Sequence, residues 1–213
     1  MKPLHFLLLL LPFTSTAQYT LDALRMEEKI SIDGKGEEAS WSRAIATKEK
    51  FMTVRPVPGQ TANNTTEVKV LYDDIALYFL VQCYDSPDSI SKVYSIRDDY
   101  NANADIFSIY LDTYNDRQNG FYFGITSTGV QLDGKVLSND VNDQLNLVWE
   151  SSVLWNDQGW CAELKIPYSA LRFAEKESQD WNINFTRQIA RKREHSSWFP
   201  VNPDFENYLV SSG

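Results

Sequence analysis

Groups that carry catalysis are scarce in this chain. Its 213 residues include two histidines and two cysteines. His5 lies in a leader-like N-terminal stretch, so a processed chain would keep only His195, and nothing around His195 supports a Ser-His-Asp arrangement. Haem ligation would need His195 with Met26 or Met52, and no motif spacing links them. Cys83 and Cys161 stand far apart, without the paired spacing of a zinc site. Acids are plentiful, so composition alone leaves a glycosidase carboxylate pair open, but no nucleophile motif accompanies them, and the chain reads as non-catalytic. Positive charge is also short: 20 Lys and Arg against 29 Asp and Glu give a formal charge of -9. A surface that acidic repels phosphate backbones, which excludes nucleic acid as a partner. Helical periodicity is sparse, and neither internal repeats nor low-complexity segments occur.

Long apolar runs are missing as well. The longest, Leu4 to Phe13, covers about ten residues, where a membrane-spanning helix needs roughly twenty. Lys2 precedes it and Thr14-Ser15-Thr16-Ala17 follows. Charge, short apolar core and small-residue exit form a secretory signal peptide, expected over residues 1–17 with Gln18 as the new N-terminus. The working protein is therefore expected outside the cytoplasm. An oxidising compartment opens the option of a disulfide. The strand phase argues for two free thiols instead. Cys83 alternates with Leu77, Phe79 and Val81 on an apolar face, while Cys161 alternates with Glu163 and Lys165 on a face that reads as wet.

What is present is period-two alternation and aromatic side chains. Alternating runs cover Glu67–Leu71, Leu77–Tyr84, Ile106–Leu111, Phe121–Thr126, Val130–Gly134, Glu150–Trp155, Gly159–Ile166 and Asn182–Arg191. Polar turns such as Tyr72-Asp73-Asp74, Ser127-Thr128-Gly129 and Asn156-Asp157-Gln158 separate several of them. Short strands at this spacing predict an all-β fold, an antiparallel β-sandwich. One short helix is expected within Glu38–Ala46 and a single turn at Pro167–Leu171, while Arg55–Asn64 reads as a loop. Of the six tryptophans some must pack a core. In an exported protein so many also suit a sugar-binding surface, because the apolar C–H faces of a pyranose stack on flat rings.

The order of motifs carries more than any one of them. Ile32-Asp33-Gly34 with Glu38 and Trp41 opens the series. Thr66 to Asp74, Arg97-Asp98-Asp99, Asp105 and Tyr110-Leu111-Asp112 follow. Gly159-Trp160, Glu163 to Pro167, Leu171-Arg172-Phe173 and Trp181 to Phe185 with Arg187 and Arg191 close it. In this order the chain resembles the family 9 carbohydrate-binding module. It is most similar to the version at the front of exported Gram-negative proteins that continue into an outer-membrane β-barrel of unknown function. The resemblance covers nearly all of Leu24 to Phe205. It implies an immunoglobulin-like sandwich over residues 18–205, a linker beginning at 206–213, a glycan ligand and a periplasmic, outer-membrane or cell-surface location. It also implies a role in carbohydrate catabolism, either as a binding module or as an accessory part of a glycoside hydrolase. A barrel in the same full-length chain would be its partner, and a structural or docking domain that binds no sugar is the alternative. Two positions depart from the pattern. Leu145 and Asn146 replace a Trp-Asp pair before Val148-Trp149-Glu150, and Gly36 replaces an apolar residue.

Candidate sugar contacts are Trp149, at the start of a strand after a polar segment, and Trp198, in Ser196–Pro200. Each is read either as a stacking platform or as a core residue. Trp155 is paired with Leu154, so one of the two should face outward, whereas Trp41, Trp160 and Trp181 read as structural. Arg97 offers a planar guanidinium to paired hydroxyls, or an ion pair to its own loop, and Asn146 adds an amide. Arg187, Arg191 and Arg193 alternate along an expected strand, either as a cluster for hydroxyls or acidic sugars or as a solvated face. Family 9 modules of the sugar-binding type often hold calcium, and the resemblance makes Asp98, Asp99 and Asp105 its expected oxygen donors.

Overall fold

A computed structural model of the chain describes residues 19–137 and 140–202. The expected leader (1–17) and linker (206–213) lie outside the described residues. In chain order the elements are β1 (Leu24–Arg25), α1 (Ala39–Arg43), β2 (Met52–Arg55), β3 (Thr66–Tyr72), β4 (Ala76–Tyr84), β5 (Ile106–Asp112), β6 (Asn119–Thr126), β7 (Gln131–Leu137), β8 (Asp140–Asn142), β9 (Glu150–Asn156), β10 (Gly159–Pro167), β11 (Asn182–Ile189) and β12 (Glu194–Ser197). Single 3₁₀ turns cover Pro87–Ser89, Tyr168–Ala170 and Ala190–Lys192.

The strands form two sheets, a five-stranded one in the order β1-β3-β4-β10-β9 and a seven-stranded one in the order β2-β12-β11-β5-β6-β7-β8. The all-β sandwich is the fold the alternation predicts. Its interior comes from one face of each sheet. Val68, Val70, Phe79, Val81, Cys83, Trp160, Ala162 and Leu164 of the smaller sheet meet Phe107, Ile109, Leu111, Phe121, Phe123, Ile125 and Phe185 of the larger. Every second residue of these strands is apolar, so each strand loses its hydrophobic face to the interior when the sheets close. A fully buried Leu, Val or Phe contributes about 1.5–3 kcal/mol relative to an exposed one.

Residues 30–44 then cover the outer face of the smaller sheet. Ile30, Trp41 and Ala44 pack there on Leu71, Ala76 and Tyr78. Glu163, on the outward side of β10, fixes this cover. Its Oε2 accepts from the N–H groups of Asp33 (2.9 Å) and Gly34 (2.7 Å), and its Oε1 accepts from Trp41 Nε1 (3.0 Å). Lys69 of β3 donates to the Trp41 carbonyl at 2.8 Å. The cover lies close enough to demand glycine twice. Gly34 (φ +85°) runs against the backbone of Val153 and Leu154, and Gly36 (φ +66°) sits on the Leu80 methyls, where a Cβ would lie 2.6 Å from the nearest carbon. An apolar residue at position 36 would have to displace the Leu80 methyls and take up a positive φ that side chains rarely adopt.

The cover also corrects the reading of Cys161. Its strand phase is as expected, opposite to that of Cys83, and both thiols are free. Its face, however, is not wet: Cys161 is 5% exposed, and burial pushes its thiol up to about 12, as it does for Cys83. The helix and the turn after β10 fall within their expected spans. The strand read as Asn182–Arg191 ends at Ile189, where the Ala190–Lys192 turn begins and Arg193 adopts φ +49°.

Candidate functional site

Two of the expected sugar contacts, Arg97 and Trp149, and one expected calcium donor, Asp98, come together around Asp133 of β7. This carboxylate is fully buried. Its Oδ1 accepts from the Leu147 N–H at 2.6 Å, and its Oδ2 accepts from Trp149 Nε1 at 3.1 Å and from Arg97. Arg97 also donates to Gln131 and, at 3.0 Å, to the Leu147 carbonyl. Asp98 joins by accepting from the Asp133 N–H at 3.0 Å. Burial raises the Asp98 carboxyl above its ordinary range, and the nearby Asp133 charge adds to the rise. A buried carboxylate with donors on both oxygens is held satisfied, and removing any donor would leave charge unpaired in the interior. This cluster joins β7, the loop carrying Arg97 and the segment entering β9. Arg97 is thus the ion-pair anchor of its loop, with 38% of its side chain exposed.

The two tryptophans expected to stack on sugar are core residues. Trp149 is 6% exposed, edge-on to Phe123 at 5.5 Å with its N–H used by Asp133. Trp198 is 1% exposed, between Tyr19 (5.5 Å) and Phe185 (5.4 Å). Neither presents a ring face to solvent, so they form no stacking surface. Trp41 and Trp160 are buried as expected, and Trp181 is half-buried against Phe173 and Tyr168. Leu154 and Trp155 both reach the surface. The Trp155 ring carries Lys92 Nζ 4.3 Å from its centroid, and its N–H donates to the Ser127 carbonyl.

The expected calcium donors do not converge. Asp105 is buried, its Oδ1 accepting from Ala190 N–H at 2.8 Å and its Oδ2 from Ser91 N–H at 3.4 Å. Asp99 closes its own turn by accepting from Asn101 N–H, and Asp98 is engaged at Asp133. Among the described residues no three His, Cys, Asp or Glu side chains gather as a metal site. Calcium needs several oxygens around one point, and Asp98, Asp99 and Asp105 do not fit it. Of the three arginines, Arg187 and Arg191 both approach Asp85, at 3.7 and 2.7 Å, so they serve an internal ion pair. Arg187 is buried, donating to the carbonyls of Thr65 and Tyr84, and Arg191 grips Asp85 with both terminal nitrogens at 2.7 and 2.8 Å. Arg193 lies past the end of β11, in the left-handed turn.

The residues that do enclose space lie on the outer face of the larger sheet. Tyr110, Ser108 and Ile106 of β5, Tyr122 of β6, Thr186 and Gln188 of β11, and His195 of β12 line a hollow of about 170 Å³ together with Tyr100 and Val141. Tyr122 sits between the other two tyrosines, 5.1 Å from Tyr110 and 5.8 Å from Tyr100, and shares a 3.0 Å hydrogen bond with Ser108. Gly124 lies beside it because a Cβ there would meet the Tyr122 hydroxyl at 2.5 Å. Burial raises the Tyr122 phenol to about 12, so it stays protonated. The lining holds no carboxylate, lysine or arginine. Aromatic rings beside hydroxyl, amide and imidazole groups match a small neutral molecule with apolar faces and hydroxyl edges. Sequence reasoning passed over these tyrosines, although a signal exists. Within β5, Ser108 and Tyr110 alternate with Phe107, Ile109 and Leu111, so the sequence already places them opposite the core.

Asn146 lies elsewhere. It lines an open groove of about 340 Å³ at one end of the sandwich, between the segment Leu145–Val148, Lys135 of β7 and the turn Ser169–Arg172.

A model of the family described as "Carbohydrate family 9 binding domain-like" matches residues 32–197. Two solved structures of a family 9 carbohydrate-binding module from Caldicellulosiruptor kristjanssonii are similar in fold. The one in complex with cellotriose has a TM-score of 0.61 at 16% identity over 91% of each chain. The one in complex with glucose has 0.62 at 17% identity, over 91% of this chain and 93% of that one. A putative carbohydrate-binding protein from Bacteroides uniformis reaches 0.63 at 12% identity, over 86% of this chain and 94% of its own. No curated protein matches the chain in sequence.

Proposed function

The chain belongs to the carbohydrate family 9 binding domain-like family, and on that premise we propose that it is a non-catalytic module that holds a neutral glycan in the tyrosine-lined hollow. The observation that carries this reading is the convergence of Tyr100, Tyr110 and Tyr122 with Ser108, Thr186, Gln188 and His195 on one outer sheet face. The half-buried Tyr100 supplies a ring face, backed by the buried Tyr122 and Tyr110, and the polar side chains at the hollow supply hydrogen-bonding groups for ring hydroxyls. At about 170 Å³ the hollow is smaller than the 300–1,000 Å³ of drug-sized pockets. It is in scale with a single sugar ring at the end of a chain. The leader-like N-terminus and the motif pattern support an exported module acting in carbohydrate catabolism at the envelope, ahead of an outer-membrane barrel.

Calorimetric titration with a panel of neutral mono- and oligosaccharides tests this. The wild type should bind at least one member. Gln188→Ala should weaken that binding about two- to tenfold, the value of one net hydrogen bond. One observation favours the docking-domain reading: Tyr94, Ile96 and Val148 are apolar and almost fully exposed, and the bond from Arg97 to the Leu147 carbonyl brings their two segments together. A wild type that binds no saccharide would overturn the glycan reading and leave that surface as the working part.

A further inference from the structure

The groove at the end of the sandwich has a chemistry different from the hollow. Its base and sides are apolar, from Phe121, Leu147, Val148 and Ala170, and its polar lining is Lys135, Arg172, Asn146 and Ser169, with no Asp or Glu. Several of the chain's cations are by contrast held by acids. Arg25 pairs with Asp74, Arg43 with Glu27, Lys165 with Glu150, and Arg191 with Asp85. Lys135 and Arg172 make no ion pair among the described residues. The one bond Arg172 donates there, from Nη1 to the Leu171 carbonyl at 3.2 Å, fixes the guanidinium and leaves its Nη2 and Nε directions for a ligand. A planar guanidinium and an ammonium on one groove suit a carboxylate, the first by paired hydrogen bonds and the second by charge. The amide of Asn146 and the hydroxyl of Ser169 suit ring hydroxyls, and the apolar base suits a ring face.

We propose that this groove, formed by Lys135, Arg172, Asn146 and Ser169, is a second subsite that takes the carboxylate of an acidic sugar, a uronic acid residue. The class of ligand rests on the reading of the chain as a carbohydrate-binding module, but the site does not share a residue with the hollow. A uronic acid would use the groove, whereas a neutral sugar would use the hollow.

The test is titration of the full chain with glucuronate, glucose and inorganic phosphate, on the wild type, Lys135→Gln, Arg172→Gln and the double variant. Chemical-shift mapping on the wild type locates each ligand. Glucuronate should shift resonances of Lys135, Asn146 and Ser169. Its affinity should fall at least tenfold in the double variant and weaken as salt rises. Binding of neutral saccharides should be unchanged in all three variants, since none of these residues lines the hollow. A wild type that shows no glucuronate shifts at the groove, or a double variant that binds glucuronate as the wild type does, would overturn the proposal. Phosphate displacing glucuronate at equal concentration would overturn the assignment to acidic sugars. If neutral saccharides fail to bind while glucuronate maps to the groove, the hollow loses its role and the groove keeps its own.

Discussion

The two outer faces of this sandwich are covered to different extents. On the smaller sheet the chain covers its own strands. Residues 30–44 lie over β3, β4 and β10, and Glu163, Cys161, Leu71 and Tyr78 disappear beneath them. On the larger sheet Tyr110 and Tyr122 are also buried, packed with Ala102, Ala104, Ile106, Leu132 and Val136, and a small hollow remains beside them at Thr186, Gln188 and His195. Each sheet is built from alternating strands, so alternation alone makes both faces look equivalent. The difference lies in the segments that reach them: residues 30–44 bring Trp41 and bond to the buried Glu163 on one face, whereas Tyr100, Ala102 and Ala104 on the other leave a hollow at its side. A sealed face adds stability, and a hollow left in a cover can be spared for binding.

If the covered face is a second core, Trp41→Ala should show it with the largest effect. The indole is fully buried, bonds to Glu163, and its residue's carbonyl holds Lys69. Truncating a buried Trp costs about 3–5 kcal/mol, and denaturant unfolding would measure it. The loss should also loosen the cover before the sandwich opens, so Cys161 should react with a thiol reagent much faster than in the wild type while Cys83 stays protected. Equal acceleration at both thiols would mean that the two layers open together and the comparison fails.

Glu163→Gln sharpens the same contrast with a smaller effect. It replaces one acceptor oxygen by a donor facing either the Trp41 N–H or the Asp33 and Gly34 N–H groups, at a cost of about 1–3 kcal/mol. Burial raises the Glu163 carboxyl above the usual carboxylate range, outweighing its hydrogen bonds from Gly34 and Asp33. A raised folded-state pKa gives stability that is complete below the unfolded value, about 4.3, and is lost as pH rises through the folded one. The variant has no such proton. The stability gap between wild type and Glu163→Gln, measured by unfolding across this range, should therefore be widest at the acid end and narrow as pH rises. A gap that widens with pH would show the carboxylate to be the preferred buried form.

Much of this architecture was legible in the residues. The alternating runs locate the long strands, and the motif order points to the family that the match over residues 32–197 shows. The pattern also has Cys83 and Cys161 on opposite faces correctly. It failed where the outcome depends on what lands on a face. Glu163 and Lys165 beside Cys161 signal water in any strand pattern, and only the distant segment around Trp41 reverses that. The short strands β1, β2, β8 and β12 carry too few residues to show a period. The candidate site was the least legible part. Tryptophan is the residue that suggests stacking first, yet Trp149 and Trp198 are large apolar side chains that the interior takes. The tyrosines lining the hollow hide between phenylalanines, in Phe121-Tyr122-Phe123, where the eye reads only core.

The smallest expected effect is the one that tests whether the second face is spared. Gln188 is half-buried in the hollow, on β11 opposite Ile106 of β5 and His195 of β12, and its side chain makes no hydrogen bond within the described residues. Gln188→Ala therefore removes an amide that nothing in the fold depends on, and its backbone ladder persists. Substitutions of that kind stay within about 0.5 kcal/mol, roughly an order of magnitude below Trp41→Ala on the covered face. Thermal unfolding of both variants in one buffer gives the ratio directly. A Gln188→Ala variant destabilised by more than about 1 kcal/mol would mean that the amide is bonded into the sheet and that the larger sheet is closed on both sides. A variant that keeps the wild-type midpoint and binds saccharide less tightly would separate the work of the two faces: one holds the chain together, and the other holds the ligand.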